Sequence, residues 1–252
     1  MAELIKEYSH KYFLTAGLSN AQREAPLHLL VNNIIEVATE HANIWGVGYS
    51  TLVKEHQGWV LSRLVVEMQR FPAINETYTL TTWIEDYNRH FSQRNFRFAD
   101  QQGNVIGYAR TIWVVIDSIT RESVDISKFS YMKEVVSCNE CPIDKPSKLM
   151  PVAEGNANKY QFDYTDIHFN RHVNTLRYVQ LITNQIPLER YDEQYINRFE
   201  IAFLKECTYG QIVDIASQEA QSNDVHLEIA DTQSKKPHCR ARLVLKQRNS
   251  QK

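Results

Sequence analysis

Ala25-Pro26-Leu27-His28-Leu29-Leu30-Val31-Asn32-Asn33-Ile34-Ile35-Glu36-Val37-Ala38-Thr39-Glu40-His41-Ala42-Asn43-Ile44-Trp45 places Leu27, Leu30, Val31, Ile34, Ala38, Ala42 and Trp45 at intervals of three and four. Pro26 stands near the start and Gly46 just past the end, so the spacing predicts one long helix. Beyond it the period changes to two. Val60, Leu64, Val66 and Met68 alternate on one face of an expected strand, and a Thr-rich segment runs from Glu76 to Glu85. Further strands are expected over Phe91 to Ala99 and Val105 to Asp117, joined at Asp100-Gln101-Gln102-Gly103-Asn104, whose Gly and Asn suit a hairpin turn. The first half reads as a helix followed by a long antiparallel sheet.

The order then repeats. From about Ser130 to Asn158 the pattern fades into a stretch holding three of the seven prolines, which reads as a connection. After it come an extended piece, Lys159 to Phe169, and a helix with Leu176, Val179, Ile182 and Ile186, stopped by Pro187. Alternating runs follow over Arg198 to Thr208, Gln211 to Gln218, Val225 to Ile229 and Cys239 to Lys246. In the last two, Val225, Leu227, Ile229, Cys239, Ala241, Leu243 and Leu245 share one face, with His226, Glu228, Arg240 and Arg242 on the other. A sheet that buries one face on a single helix must curl round it. The expected class is α+β, a tandem (double) hotdog in which each half is a long helix wrapped by an antiparallel sheet. The expected division is a first hotdog over 1–133, a linker over 134–157 and a second hotdog over 158–252. Two unrelated α+β domains fit the periodicity as well.

The chain of 252 residues is 43% hydrophobic, enough for one large domain or two small ones, each with its own core. With 28 Lys and Arg against 30 Asp and Glu, the formal charge of -2 provides no global basic field for nucleic acid or an anionic membrane. The mean hydropathy is -0.44 and no apolar run approaches membrane-spanning length, so no membrane insertion is expected. The start, MAELIKEYSHKYF, has neither the apolar core of a secretory signal nor the acid-poor composition of a transit peptide, so a cytoplasmic protein is expected. Cys138, Cys141, Cys207 and Cys239 are too few and scattered for a disulfide scaffold. Cys138 and Cys141 have C-x-x-C spacing, but no second pair lies nearby to complete a zinc site, and no metal is expected.

The densest polar cluster is Asp163-Tyr164-Thr165-Asp166-Ile167-His168-Phe169-Asn170-Arg171-His172-Val173-Asn174. If it is extended, Asp166, His168, Asn170 and His172 share one face where a strand gives way to a helix. The helix start offers unpaired N–H groups suited to a carbonyl oxygen that becomes an oxyanion. The plainer reading is a capped helix, with Asn170 or Asn174 accepting from backbone N–H groups and the histidines as polar surface. His168 and His172 lack the H-E-x-x-H context of a helical metal site.

Asp166 to Asn174, running into Leu176-Arg177-Tyr178-Val179, resembles the D-x-D-x-N-x-H-V-N signature of acyl-[acyl carrier protein] thioesterases. Trp59-Val60-Leu61-Ser62-Arg63, Arg70-Phe71-Pro72, Thr82-Trp83, Trp113-Val114-Val115-Ile116 and Phe203-Leu204-Lys205-Glu206-Cys207 are similar to that family too, in the family's order across both halves. The resemblance implies the tandem hotdog and hydrolysis of the thioester between a fatty acyl chain and the phosphopantetheine arm of acyl carrier protein, with no cofactor. It places the N-x-H pair on Asn170 and His172 and the Glu-Cys pair on Glu206 and Cys207. The second Asp of D-x-D falls on His168.

Water needs a positioned base at neutral pH, and the thioester carbonyl needs a donor. Glu206 is the expected base or water-orienting carboxylate, His172 its partner in proton transfer and Asn170 a donor, with Asp166 orienting His168 or His172. Cys207 is the rival nucleophile, with His172 as its base. On an extended strand Glu206 and Cys207 point to opposite faces, and Cys207 joins the apolar set of Phe199, Ile201 and Phe203. By analogy with the family, the acyl chain runs through the first half, where Leu30, Ile34, Trp45, Val66 and Met68 are candidate lining, although each alone reads as ordinary core. Arg171 and Arg177 are the candidates for guiding an acidic carrier protein. An acyl-CoA thioesterase on the same fold and a non-catalytic acyl-binding module are the alternatives, and a homodimer is left open.

Overall fold

The computed structural model describes residues 5–129, 132–152 and 157–248. The chain divides into two compact units, one comprising Met1–Pro26 and Leu30–Pro146, the other Leu27–Leu29 and Ser147–Lys252. The first contains strands β1 (Glu7–Phe13), β2 (Gln57–Met68), β3 (Thr77–Tyr87), β4 (Ser92–Asp100) and β5 (Val105–Asp117), in antiparallel order β1-β3-β4-β5-β2. Its main helix is α1 (Leu27–Ile44); α2 (Tyr49–Leu52) and α3 (Met132–Val135) are single turns. Pro26 occupies the N-cap position of α1, and Gly46, at φ 75°, follows its last turn.

Leu30, Val31, Ile34 and Val37 of α1 have no exposed surface. Each such side chain contributes roughly 1.5–3 kcal/mol by leaving water. Asn33 Nδ2 donates to Tyr78 Oη on β3 at 2.6 Å, and Tyr12 Oη on β1 donates to Asn33 O at 3.4 Å. The helix therefore lies against the sheet as the apolar stripe requires. On β2, Leu64, Val66 and Met68 are buried in alternation, but the register shifts between Leu61 and Arg63. The bulge reverses the parity beyond it, so Leu61 is buried and Val60, expected on the inner face, is only half-buried. Opposite Met68, a Cβ on Gly107 would come within 2.3 Å of Met68 Sδ and 2.8 Å of Glu67 O, which is why glycine stands there.

The expected β4–β5 turn forms, with Asp100 Oδ1 accepting from the N–H of Gln102 and Asn104 and Gly103 at φ 85°. The connection behaves differently from a solvated linker. Residues 136–143 form a strap along β3: Ser137 N donates to Ile84 O at 2.9 Å and Trp83 Nε1 to Asn139 O at 2.6 Å. Arg110 on β5 donates from Nε to Ile143 O at 2.8 Å and from Nη2 to Cys141 O at 2.5 Å, while its Nη1 meets Glu85 at 2.7 Å. Cys141 and Ile143 pack with Val65 and Trp83 in one apolar cluster.

The second unit contains β6 (Ala157–Gln161), α4 (Thr175–Thr183), α5 (Leu188–Glu193), β7 (Gln194–Phe203), β8 (Ile212–Gln221), β9 (Asp224–Asp231) and β10 (Pro237–Gln247), in antiparallel strand order β7-β10-β9-β8-β6. Val225, Leu227, Ile229, Cys239, Ala241, Leu243 and Leu245 are all buried, as the alternation requires. On their other side Arg240 meets Glu228 at 2.6 Å and Arg242 meets Asp224 at 2.7 Å. Tyr178, Val179, Leu181 and Ile182 form the buried face of α4. Three boundaries differ from the sequence reading. The α4 helix ends at Thr183, because Pro187 serves as N-cap of α5. The extended piece stops at Gln161 and β7 at Phe203, so both segments with polar motifs are loops.

Candidate active site

The motif segment is folded back on itself. Tyr164–Asp166 is a 3-10 turn with a capping box, in which Asp163 accepts from the backbone and Asp166 Oδ2 accepts from Asp163 N at 2.9 Å. Residues 167–173 then form a tight loop: Ile167 pairs with Val173, His168 N donates to His172 O at 2.8 Å, and Arg171 sits at φ 68°. The single face expected of Asp166, His168, Asn170 and His172 is therefore absent, because that reading assumed extended backbone. Asp166 is 1% exposed, whereas His168 and Asn170 lie at the surface.

Asp166 accepts from Tyr160 Oη at 2.9 Å and pairs with Arg177 Nε at 2.5 Å. Its partners are thus Tyr160, Arg177 and the Asp163 backbone rather than either histidine, and it ties β6 and α4 to the motif loop. Arg177 is correspondingly committed to the interior of this loop, which removes it from the expected carrier-guiding pair; Arg171 is exposed. The start of α4 is capped as the plainer reading had it: Asn174 Oδ1 accepts from Leu176 N at 2.9 Å and Asn174 O from Arg177 N at 3.0 Å. Those amides are already engaged, so they are poor oxyanion donors.

The motif loop pairs with the loop after β7. Val173 N donates to Cys207 O at 2.9 Å and His172 bridges to Thr208. This contact brings Glu206 Oε1 to 3.3 Å from His172 Nδ1, with the side chains 34% and 28% exposed. His172 Nδ1 is itself shut off from solvent and not yet in hydrogen-bond alignment. A loose base–partner contact of this kind is common before substrate binds. Asn170 Oδ1 accepts from His172 N at 3.1 Å, so what Asn170 retains for a substrate is the Nδ2 donor pair.

Cys207 has no exposed surface, and burial pushes its thiol up to about 11, so it is protonated at neutral pH. The reason differs from the expected strand parity: β7 has already ended, and Tyr178 Oη on α4 accepts from Cys207 N at 3.0 Å, drawing the residue inward. Tyr178, Tyr160 and Thr208 were missed by the sequence reading. Tyr178 lies inside the quoted motif and its period on α4 points inward, a signal that could have found it. A cleft of about 740 Å³ opens on the same two loops, lined by Tyr164, Thr165, Ile167, His168, Phe169, Arg171, Thr208 and Tyr209, with neither Glu206 nor His172 in its wall. Its aromatics are open to solvent, Tyr164 being 82% exposed.

In the first unit, Leu30, Ile34, Trp45, Val66 and Met68 are all buried, so as they stand they form core. Among the described residues no group of three or more His, Cys, Asp or Glu could hold a metal ion, and Cys138 and Cys141 are free thiols, one exposed and one buried. No helix among the described residues is long and apolar enough to cross a membrane.

Comparison with known proteins bears on the same segments. The family model for the acyl-ACP thioesterase N-terminal domain matches residues 5–135, and that for the acyl-ACP thioesterase C-terminal domain matches residues 149–247. The chain is 24% identical over 245 residues to oleoyl-acyl carrier protein thioesterase 2, chloroplastic, of Arabidopsis thaliana, covering 89% of this chain and 66% of that protein. It is 25% identical over 209 residues to dodecanoyl-[acyl-carrier-protein] hydrolase, chloroplastic, of Cinnamomum camphora, covering 76% of this chain and 54% of that one. The chain thus spans about two thirds or less of the length of these curated relatives. An acyl-ACP thioesterase from Bacteroides thetaiotaomicron superposes with a TM-score of 0.91 at 30% identity, covering 98% of this chain and 100% of that one. The 12:0-ACP thioesterase from Umbellularia californica shares the fold, with a TM-score of 0.84 at 18% identity over 96% of this chain and 98% of that one. With both domains matched in order and a solved relative aligned over nearly its whole length, the chain belongs to the acyl-ACP thioesterase family.

Proposed function

We propose that this protein hydrolyses the thioester of a fatty acyl group carried on the phosphopantetheine arm of acyl carrier protein, releasing free fatty acid and the carrier's thiol. The observation that carries the reading is the Glu206–His172 pair, a partly exposed carboxylate 3.3 Å from an imidazole nitrogen, on the two loops that also line an aromatic cleft. Family membership and the relatives' names supply the substrate class.

Glu206 holds and deprotonates the attacking water, and His172 shares the proton and returns it to the leaving thiolate. Asn170 Nδ2 donates to the thioester oxygen as charge develops there; one such donor is worth about 3 to 4 kcal/mol in the transition state. Asp166 holds the loop through Arg177 and Tyr160. Cys207 is a buried neighbour, and His168 is a surface residue that takes no step. Arg171 meets the acidic carrier at the cleft. A cytoplasmic setting belongs to the same proposal, and a single chain or a homodimer is compatible with it. The test is thiol release from a panel of acyl carrier proteins bearing different chain lengths. Release is expected for at least one; tight acyl binding with no release from any would make the protein a binding module instead.

A further inference from the structure

Behind Glu206 lies a buried histidine that this chemistry does not use. His238, on β10, is 1% exposed. Its Nδ1 lies 3.1 Å from Lys205 O and its Nε2 lies 2.9 Å from Gln211 Nε2. A carbonyl only accepts and an amide nitrogen only donates, so the ring is neutral, protonated at Nδ1 and accepting at Nε2. Burial, which pushes this imidazole below the ordinary histidine range, agrees.

The chain of contacts continues through Gln211. Its Nε2 also donates to Asp231 Oδ2 at 2.9 Å, and its Oε1 accepts from Thr208 N at 3.3 Å. Asp231 is itself fixed by a turn, accepting from the N–H of Gln233 and Ser234 at Oδ1. The backbone carbonyl of His238 accepts from Leu204 N at 2.8 Å and Lys205 N at 3.1 Å. Leu204 and Lys205 before Glu206, and Thr208 after it, are therefore all pinned by this one cluster. β7 ends at Phe203, and beyond it the loop is carried by these two backbone bonds to His238 O, by the ring's contact with Lys205 O and by the Gln211 bridge to Thr208. The same loop meets His172 through Thr208, so where the loop sits decides how Glu206 meets the imidazole.

We propose that the buried His238–Gln211–Asp231 chain is a positioning device for Glu206, holding residues 204–208 so that the carboxylate faces His172 Nδ1. Its catalytic arm rests on the hydrolytic reading above. Gln211→Leu removes the bridge at a half-buried position; His238→Phe removes both ring contacts; His238→Asn keeps a donor toward Lys205 O. In the wild-type background, Gln211→Leu and His238→Phe are expected to lower kcat by about 10- to 100-fold with KM within about twofold, since a displacement near 1 Å is that costly. His238→Asn should recover part of the loss. In Glu206→Gln, the same substitutions should cost less than about twofold more, because the group they position is gone. A crystal structure of Gln211→Leu should show Glu206 displaced from His172 by about 1 Å or more. A folded Gln211→Leu with unchanged kcat, an equal loss in both backgrounds, or Glu206 unmoved in the crystal would overturn the proposal. If the wild-type protein itself releases no thiol, the hydrolytic reading fails, and the crystal structure alone decides the positioning.

Discussion

Glu206 and Cys207 are neighbours in sequence, and their surroundings give them different chemistry. The carboxylate is open to water and to His172, whereas the thiol is fully buried and held protonated. Glu206→Gln is expected to lower kcat by about 100-fold or more, and Cys207→Ser by less than about tenfold, in a thiol-release assay; acyl-enzyme trapped on Cys207 would establish the covalent route. Asp166→Asn unbalances the pair with Arg177 and should cost about 3 kcal/mol of stability in denaturant titration, with kcat below the melting transition changed only a few-fold. At the surface, His168→Asp should alter neither by much. If Asp166→Asn harms kcat as much as Glu206→Gln at unchanged stability, two carboxylates are needed. A different residue reports on the first unit. His41 has no exposed surface, and burial, then the Arg94 guanidinium, push its imidazole down to about 4 from 6.5, against the pull of Ile5 O. The unfolded chain therefore binds more protons between those values, so stability is full above pH about 6.5 and falls towards pH about 4, by roughly 3 kcal/mol. Tm should drop more between pH 7 and pH 4.5 in the wild-type protein than in His41→Asn, and equal drops would refute this. The motif's residue types were legible in the sequence; Asp166 was misread because parity on an extended strand was assumed where the chain makes a 3-10 turn.

Elements with a clean apolar period were legible, and those stabilised by distant polar contacts were not. The α1 helix and strands β5, β9 and β10 follow from their side-chain spacing alone. Strand β1 was passed over because its inward set is Tyr8, His10 and Tyr12, aromatics with polar tips that scarcely register as an apolar alternation. In the structure those tips serve the contact with α1, His10 meeting Glu40 at 3.0 Å and Tyr8 stacking on His41 at 5.7 Å. The strap over 136–143 was unreadable for a related reason: it has no period of its own, and its hydrogen bonds come from Trp83 and Arg110, far off in sequence. Arg110 is 7% exposed, so Arg110→Met both frees the strap and takes from Glu85 its charged partner, leaving it the Asn95 amide alone among the described residues. The expected result is a loss of about 2 kcal/mol or more, together with new protease cleavage between residues 137 and 146. A cleavage pattern identical to the wild-type protein's would show that the apolar contacts of Cys141 and Ile143 hold the strap unaided.

At the scale of the whole chain, a formal charge of -2 leaves any charge-guided partner to local features, and in the proposed function the exposed Arg171 at the cleft is the one that meets an acidic carrier. Each unit builds its sheet round a helix from the same simple pattern, yet the residues of the proposed chemistry sit in two loops of the second unit that meet at Val173–Cys207 and His172–Thr208. Sequence pattern reached α+β with a repeated helix-and-sheet order because burial enforces periodicity, and the family resemblance chose the tandem hotdog over two unrelated domains; neither could reach the meeting of those loops, which depends on where β7 stops. In the proposed function the Glu206–His172 pair hydrolyses a thioester presented by acyl carrier protein. Its most direct test is kcat/KM for one acyl group on acyl carrier protein and on coenzyme A, measured for the wild-type protein and for Glu206→Gln. A preference for the protein carrier of about tenfold or more is expected, from recognition of the carrier's surface, with near-complete loss on both carriers in Glu206→Gln. Faster turnover of the coenzyme A thioester, or wild-type rates in Glu206→Gln, would contradict it.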